Sequence, residues 1–259
     1  VLPTFTFFVG DRGRFGEILT PGAPMPFSRM RVIDTETTGF QDDPGARLVE
    51  AAWCDIDLAT LTVSRPKSML ANPCCPIPPQ ASAVHHIVDA DLLGAPVPAA
   101  VVEFVTEGCG PETVFASHNR RFDMHFIPTP QGSQWVCSYK CAKRMIPSAP
   151  THSNQGLRYH LGLAVDPVLA MPPHRAAADV HVTAHILVRM LAKVTLDDML
   201  LWSSQPVHQP TCEFGNKHKG ARWADVPTEY LRWMAFEAER IDEDTREVAR
   251  MHLDARGWS

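Results

Sequence analysis

Met30-Arg31-Val32-Ile33-Asp34-Thr35-Glu36-Thr37-Thr38-Gly39 is the stretch from which the rest of the chain is read. Met30 to Asp34 is a short apolar run of the kind that forms a buried strand. Asp34 and Glu36 lie two residues apart, so on a strand their side chains share one face. Outward from it, Leu48 to Ile56 and Leu61 to Leu70 read as strands joined by a turn at Asp57-Leu58-Ala59-Thr60. Pro73 to Pro79 reads as a connection, and Val97 to Glu107 as a helix stopped by Gly108 and Gly110. Thr113 to Ser117 is a fourth strand, with a helix from about Arg121 to Ile127. Gln134 to Cys137 is a fifth, leading into a basic helix that ends at Met145. Pro172-Pro173 blocks helix upstream of a long helix from Arg175 to Lys193. Three strands followed by alternation of strand and helix predict an α/β fold, a mixed five-stranded sheet with flanking helices.

The candidate chemistry lies in four short places. Asp34 and Glu36 end the first strand, Asp123 follows Ser117-His118-Asn119 and Phe122, and His174 and Asp179 open the long helix. Four gathered carboxylates repel one another unless cations stand between them. Hard oxygen donors select Mg²⁺ or Mn²⁺, and two such ions form the recurrent clamp for in-line attack on a phosphodiester. His174 and Asp179 are five apart, about 140° of helical rotation, so one continuous helix would separate them. The proline break lets His174 sit on the lead-in as general base while Asp179 sits in the helix as ligand. His181 and His185 follow with i, i+4 spacing, but no third ligand accompanies them, and they read as packed or solvated side chains.

The order and wording of these places resemble the DEDD superfamily of 3′→5′ exonucleases in its histidine-containing (DEDDh) form. Val32 to Gly39 resembles the first motif, Ser117-His118-Asn119 with Phe122-Asp123 the second, and His174 to Asp179 the third. The resemblance covers about Arg31 to Leu191. Ile77 to Ala81 with Val84 to Ile87, Trp135 to Ser138 with the basic helix, and Phe214 to Gly220 with Asp225 to Pro227 and Tyr230 to Trp233 are similar to exodeoxyribonuclease X-type members. One departure is Asn216, which separates Gly215 from Lys217 where those members have glycine followed by lysine.

The resemblance implies an RNase H-like fold, two Mg²⁺ or Mn²⁺ ions on Asp34, Glu36, Asp123 and Asp179, and His174 as the general base. Thr35, Thr37, Gly39, Phe40, Gln41, His85, His118 and Asn119 become candidate substrate contacts. An apolar residue at Phe40 lies against the terminal base in the family; His85 resembles a histidine near the scissile phosphate. Core packing is the alternative for both. His118 and Asn119 are expected to fix the loop or touch substrate.

Beyond Ser203 to Pro210, read as a linker, residues 211–259 form a small α+β appendage: a basic hairpin from Thr211 to Trp223, then one or two helices from Thr228 to His252. Lys217 and Lys219 at its tip are candidate DNA contacts. The exonuclease domain spans 30–202. Residues 1–29, apolar at Val1 to Phe8 without a preceding basic region, make a poor signal peptide and are expected to be a poorly ordered extension.

At 259 residues, 45% hydrophobic and 20% charged, the chain has the composition of a globular protein. A net charge of −5 argues against a broadly basic nucleic-acid binder but not against a nuclease, whose acids would sit under cations. Seven cysteines without paired CxxC spacing point to free thiols in a reducing cytoplasm. No apolar run approaches the ~20 residues of a membrane span. The expectation is a 3′→5′ exodeoxyribonuclease that releases 5′-mononucleotides from single-stranded or duplex DNA 3′ ends. Its rivals are an exoribonuclease on the same scaffold and an inactive nucleic-acid-binding adapter.

Overall fold

The computed structural model describes residues 27–207, 210–239 and 241–258. Strands β1 (Arg29–Thr37), β2 (Leu48–Asp57) and β3 (Lys67–Leu70) come first. Helices α1 (Pro79–His85) and α2 (Pro98–Thr106) follow, then β4 (Thr113–Ser117), α3 (Arg120–Phe126), β5 (Trp135–Cys137) and α4 (Ser138–Met145). Next are α5 (Asn154–His160), α6 (Ala176–Leu191), α7 (Leu196–Ser204), α8 (Thr228–Phe236) and α9 (Glu243–Asp254).

The sheet order is β3-β2-β1-β4-β5. β1 is therefore central, antiparallel to β2 and parallel to β4. Alternation along it divides the core. Met30 and Val32 pack with Val180, Leu187 and Met190 of α6 on one face; Ile33 packs with Val101, Val105 and Trp135 on the other. The five-stranded sheet and helices α2, α3, α4 and α6 are those expected, whereas α1, α5 and α7 are additional. Arg31 is 1% exposed. It bonds both Asp55 carboxylate oxygens at 2.8 Å and the Val105 and Glu107 carbonyls at 2.8 Å.

Several elements differ from the sequence reading. The third strand shrinks to Lys67–Leu70, because Leu61 takes a left-handed turn (φ 58°) and Pro66 lacks a donor; Val63 keeps an isolated bridge to Ile56. α1 grows out of the proline connection, since Pro79 at its first position is preorganised for helix. β1 begins at Arg29, and Phe27 packs on the core, so residues 27–29 join the domain; the rest of the expected N-terminal extension, 1–26, lies outside the described residues. Ser203 belongs to buried α7: its hydroxyl accepts from the Cys137 N–H at 2.7 Å, so the link to the tail begins after Ser204.

The tail has a core of its own, formed by Cys212, Trp223, Leu231, Met234, Val248 and Leu253. The expected hairpin reduces to one bridge, Thr211 to Arg222, around a loop turned by Gly215 and Gly220 at positive φ. Gly215 at φ 66° has a backbone conformation that favours glycine, and an added Cβ there would also press on the Tyr230 hydroxyl. Asn216 sits within this loop. The tail is fastened to the core by Lys140 to Asp244 (2.6 Å), Arg121 to Glu243 (3.1 Å) and Arg144 to the Pro206 carbonyl (2.7 Å). Among the described residues no helix is long and apolar enough to cross a membrane.

Candidate active site

The C-terminal end of β1 meets the N-terminal turn of α6. Asp34 and Glu36 extend the face carrying Met30 and Val32, which is the face α6 covers. They meet Asp179, and one carboxylate oxygen from each of the three lies within 4.8 Å of the others. Thr35 points the opposite way and donates its hydroxyl to Asp123 at 2.8 Å. Asp123 is 2% exposed, stands outside that triangle, and acts on it through its charge.

Burial is the main cause that holds all four acids above the usual carboxylate range. For Asp34, the charges of Asp123, Asp179, Glu36 and Glu50 add to it. Glu36 is pushed up to about 8 by burial, then by Asp179, Glu50 and Asp123, with Arg175 opposing. Burial raises Asp123 to about 7 against the Thr35 and Ser117 hydroxyls, which favour its charged form. Asp179 is raised by burial against the His174 N–H, the His174 charge and the Asn154 side chain. A set of like charges, desolvated together and opposed only in part by Arg175 and His174, suits divalent metal ions.

Pro172-Pro173 keeps His174 out of the helix. His174 is exposed at φ 59°, and its N–H donates to Asp179 Oδ2 at 2.7 Å. Base candidate and ligand candidate therefore meet through a backbone bond across the helix start.

Two residues that pattern reading missed hold this corner together. Glu50, 2% exposed, is the cross-strand partner of Glu36. It accepts from Arg175 Nε (2.9 Å), Arg175 NH2 (3.2 Å) and the Ala176 N–H (3.3 Å). It thus caps α6 from another strand and clamps the residue beside His174. Asn154 bonds Asp179 and accepts from Thr183 at 3.0 Å. Glu50 resembled an acid in an ordinary strand; only the β1–β2 register exposes its place.

The other candidates fall in three groups. The Thr37 hydroxyl donates to the Gly39 carbonyl (2.6 Å), and a Cβ on Gly39 would lie 2.8 Å from Asp43 Oδ2, so Asp43, which accepts from the Phe40 N–H, would have to shift. Phe40, next in line, is 72% exposed beside half-exposed Gln41, which removes the core-phenylalanine alternative. His85 is buried, with Nδ1 accepting from the Ile87 N–H, and burial lowers its pKa. His118 bonds Ser138 and the His152 carbonyl, each at 2.8 Å, and burial pushes it down to about 4: it braces the loop. Asn119 adopts φ 88° at the start of α3, a conformation asparagine tolerates. Lys217 and Lys219 are exposed on the tail loop, apart from the acids in sequence and in fold. His181 is buried with its ring against His185 (4.5 Å).

A central strand carrying two acids, joined by a helix-borne third, defines a carboxylate-centred nuclease scaffold. Residues 32–187 match the Exonuclease (RNase_T) family. Exodeoxyribonuclease 10 of Escherichia coli K12 is 30% identical over 230 residues, covering 87% of this chain and 99% of that protein. The solved structure of exonuclease X in complex with 5′ overhanging duplex DNA is 30% identical, with TM-score 0.56, over 67% of this chain and 99% of that one. The nuclease domain of 3′hExo bound to rAMP, 16% identical at TM-score 0.54 over 66% and 94% of the two chains, shares the fold. The chain belongs to the RNase_T exonuclease family, a divalent-metal-dependent group, and is an exonuclease.

Proposed function

We propose that this exonuclease is a metal-dependent 3′→5′ exodeoxyribonuclease that releases 5′-mononucleotides from DNA ends. The observation that carries the reading is the convergence of Asp34, Glu36 and Asp179 within 4.8 Å, all three raised in pKa. Likeness to Exodeoxyribonuclease 10 over nearly its whole length supports DNA as substrate.

The donor set is carboxylate oxygen alone, which fits Mg²⁺ or Mn²⁺. Asp34, Glu36, Asp123 and Asp179 would hold two such ions, which supply acidity to the attacking water and charge stabilisation at the leaving 3′ oxygen. His174 takes the proton of that water; its exposure leaves the ring open to substrate, and its N–H bond to Asp179 keeps it beside the acids. Exposed Phe40 stacks on the terminal base, an interaction of ~1–3 kcal/mol that is indifferent to sequence. Thr35, Thr37, Gly39 and Gln41 shape the turn that receives that nucleotide, with His85 behind it. Asn119 borders the strand, and His118 holds Asn119 in place. Lys217 and Lys219 meet phosphates of longer DNA. Seven free cysteines accord with a cytoplasmic setting.

The test uses 5′-labelled single-stranded DNA and matched RNA with purified protein and Mg²⁺, against an Asp179→Ala control. A ladder shortening from the 3′ end on DNA, absent in the control, is the expected result. A ladder mainly on RNA would replace the substrate, and silence on both would replace the enzyme with a binding adapter.

A further inference from the structure

A cavity of about 620 Å³ opens beside Asn119, between α4 and residues 147–153. Among the described residues no carboxylate lines it, although the chain carries a net charge of −5. Its aromatic wall is braced: the Tyr139 ring stands edge-on to His118 (5.7 Å) and His152 (6.4 Å), and His118 is bonded to both Ser138 and His152. Lys143 Nζ lies 5.4 Å from the Tyr139 ring centre. Two of its lining residues adjoin segments that hold the acids. Asn119 opens the helix that carries Asp123, and Ser153 precedes Asn154, the partner of Asp179.

A second cavity, on the Gln41 side of Asn119, contrasts with it. Four acids, Asp42, Asp242, Glu243 and Asp244, line it with four cations: Arg121 and Lys140 pair with Glu243 and Asp244, and Arg120 and Arg246 bond backbone carbonyls. Its lining charges balance, whereas the Tyr139 cavity presents Lys143 with no lining acid to oppose it.

We propose that the Tyr139–Lys143 cavity is a subsite for the nucleotide next to the one being removed, its base on Tyr139 and its phosphate at Lys143. This rests on the exonuclease reading above. Every base has a π-face and an ammonium is a compact point charge, so the subsite grips the strand without reading sequence.

The test compares kcat/KM of the full-length protein, with Mg²⁺, on the 5′-phosphorylated thymidine dinucleotide pTpT and on the p-nitrophenyl ester of thymidine 5′-phosphate, which lacks that neighbouring nucleotide and its phosphate. The dinucleotide-to-ester ratio is expected to fall roughly tenfold in Tyr139→Ala and to be kept in Tyr139→Phe, which retains the ring. Lys143→Ala is expected to lower the same ratio and to reduce the salt slope of oligonucleotide binding by ~0.7. An unchanged ratio in both alanine variants, or an equal fall on both substrates, overturns the subsite while leaving the exonuclease reading intact. Failure of the wild-type protein to cleave either substrate overturns both.

Discussion

Arg31 and Asp34 sit three residues apart on one strand and bury charge in opposite ways. Around Arg31 every charge is answered. Asp55 takes two guanidinium nitrogens, two carbonyls take another, and the Trp53 ring lies 3.7 Å from the guanidinium carbon. The charges that act on Asp34 share one sign, and Arg175, which opposes them at Glu36, is engaged with Glu50. A closed set of charges holds a fold together. An open set of one sign destabilises the metal-free protein and makes sense as the seat of a visiting cation.

Removing one member of the open set should separate activity from stability most sharply. Asp179→Ala is expected to lower turnover by about 10³-fold or more while the metal-free melting temperature holds or rises, because a desolvated like charge is gone. Near wild-type turnover would refute the assignment. The closed set should behave in reverse. Arg31→Met leaves Asp55 without its partner and is expected to cost about 3 kcal/mol in urea unfolding. That is the lower end for a broken buried pair, because the Asp55 side chain keeps 19% exposure. A smaller loss than that for a surface substitution would place Arg31 outside the closed set.

Glu50 belongs to both sets, since it pairs with a cation and yet adds to the repulsion. Glu50→Gln is expected to lower kcat about 10- to 100-fold, as outer partners of metal ligands do, with a smaller change in KM. A rise in KM alone would reduce Glu50 to a substrate contact. The open set also gives a pH signature. Glu36 and Asp123 hold protons to about 8 and about 7 in the folded protein, above their ordinary 4.5 and 3.8. The folded state thus binds more protons than the unfolded chain between those limits, and metal-free stability should fall as pH rises from about 5 to about 8. Melting curves in EDTA and in Mg²⁺ across that window check this; stability that rises with pH in EDTA would contradict the repulsion. The smallest effect is expected at the tail, where Lys217→Ala with Lys219→Ala should weaken long-DNA binding a few-fold and reduce the salt slope by ~1.4 for a single strand.

Much of this site was readable because the relevant periods are local. Two acids at i, i+2 on a strand must share a face, and a proline pair must interrupt a helix; both statements need only neighbouring residues. Pro172-Pro173 marked the α6 boundary correctly, but Pro78-Pro79 hid α1, because proline at a helix start and proline in a connection look alike in sequence. Phe40 had two readings until its 72% exposure chose one. Glu50, Asn154 and Tyr139 carried no local signal. Glu50 reaches the site through strand register, Asn154 through a contact with a helix that starts 22 residues further on, and Tyr139 through a loop folded back against α4.

By itself, then, the amino-acid sequence determined the α/β order of elements and the residue types at the four acidic positions and His174. These follow from hydrophobic periodicity and side-chain chemistry, which act over a few residues. Only the tertiary structure decided which cations are spent and which are open. Lys140 and Arg121 are taken by Asp244 and Glu243 of α9, whereas Lys143 faces a cavity that no acid lines among the described residues. Electrostatic partnership depends on distance in space, and residues more than a hundred positions apart along the chain are brought within 3 Å only by the packed fold.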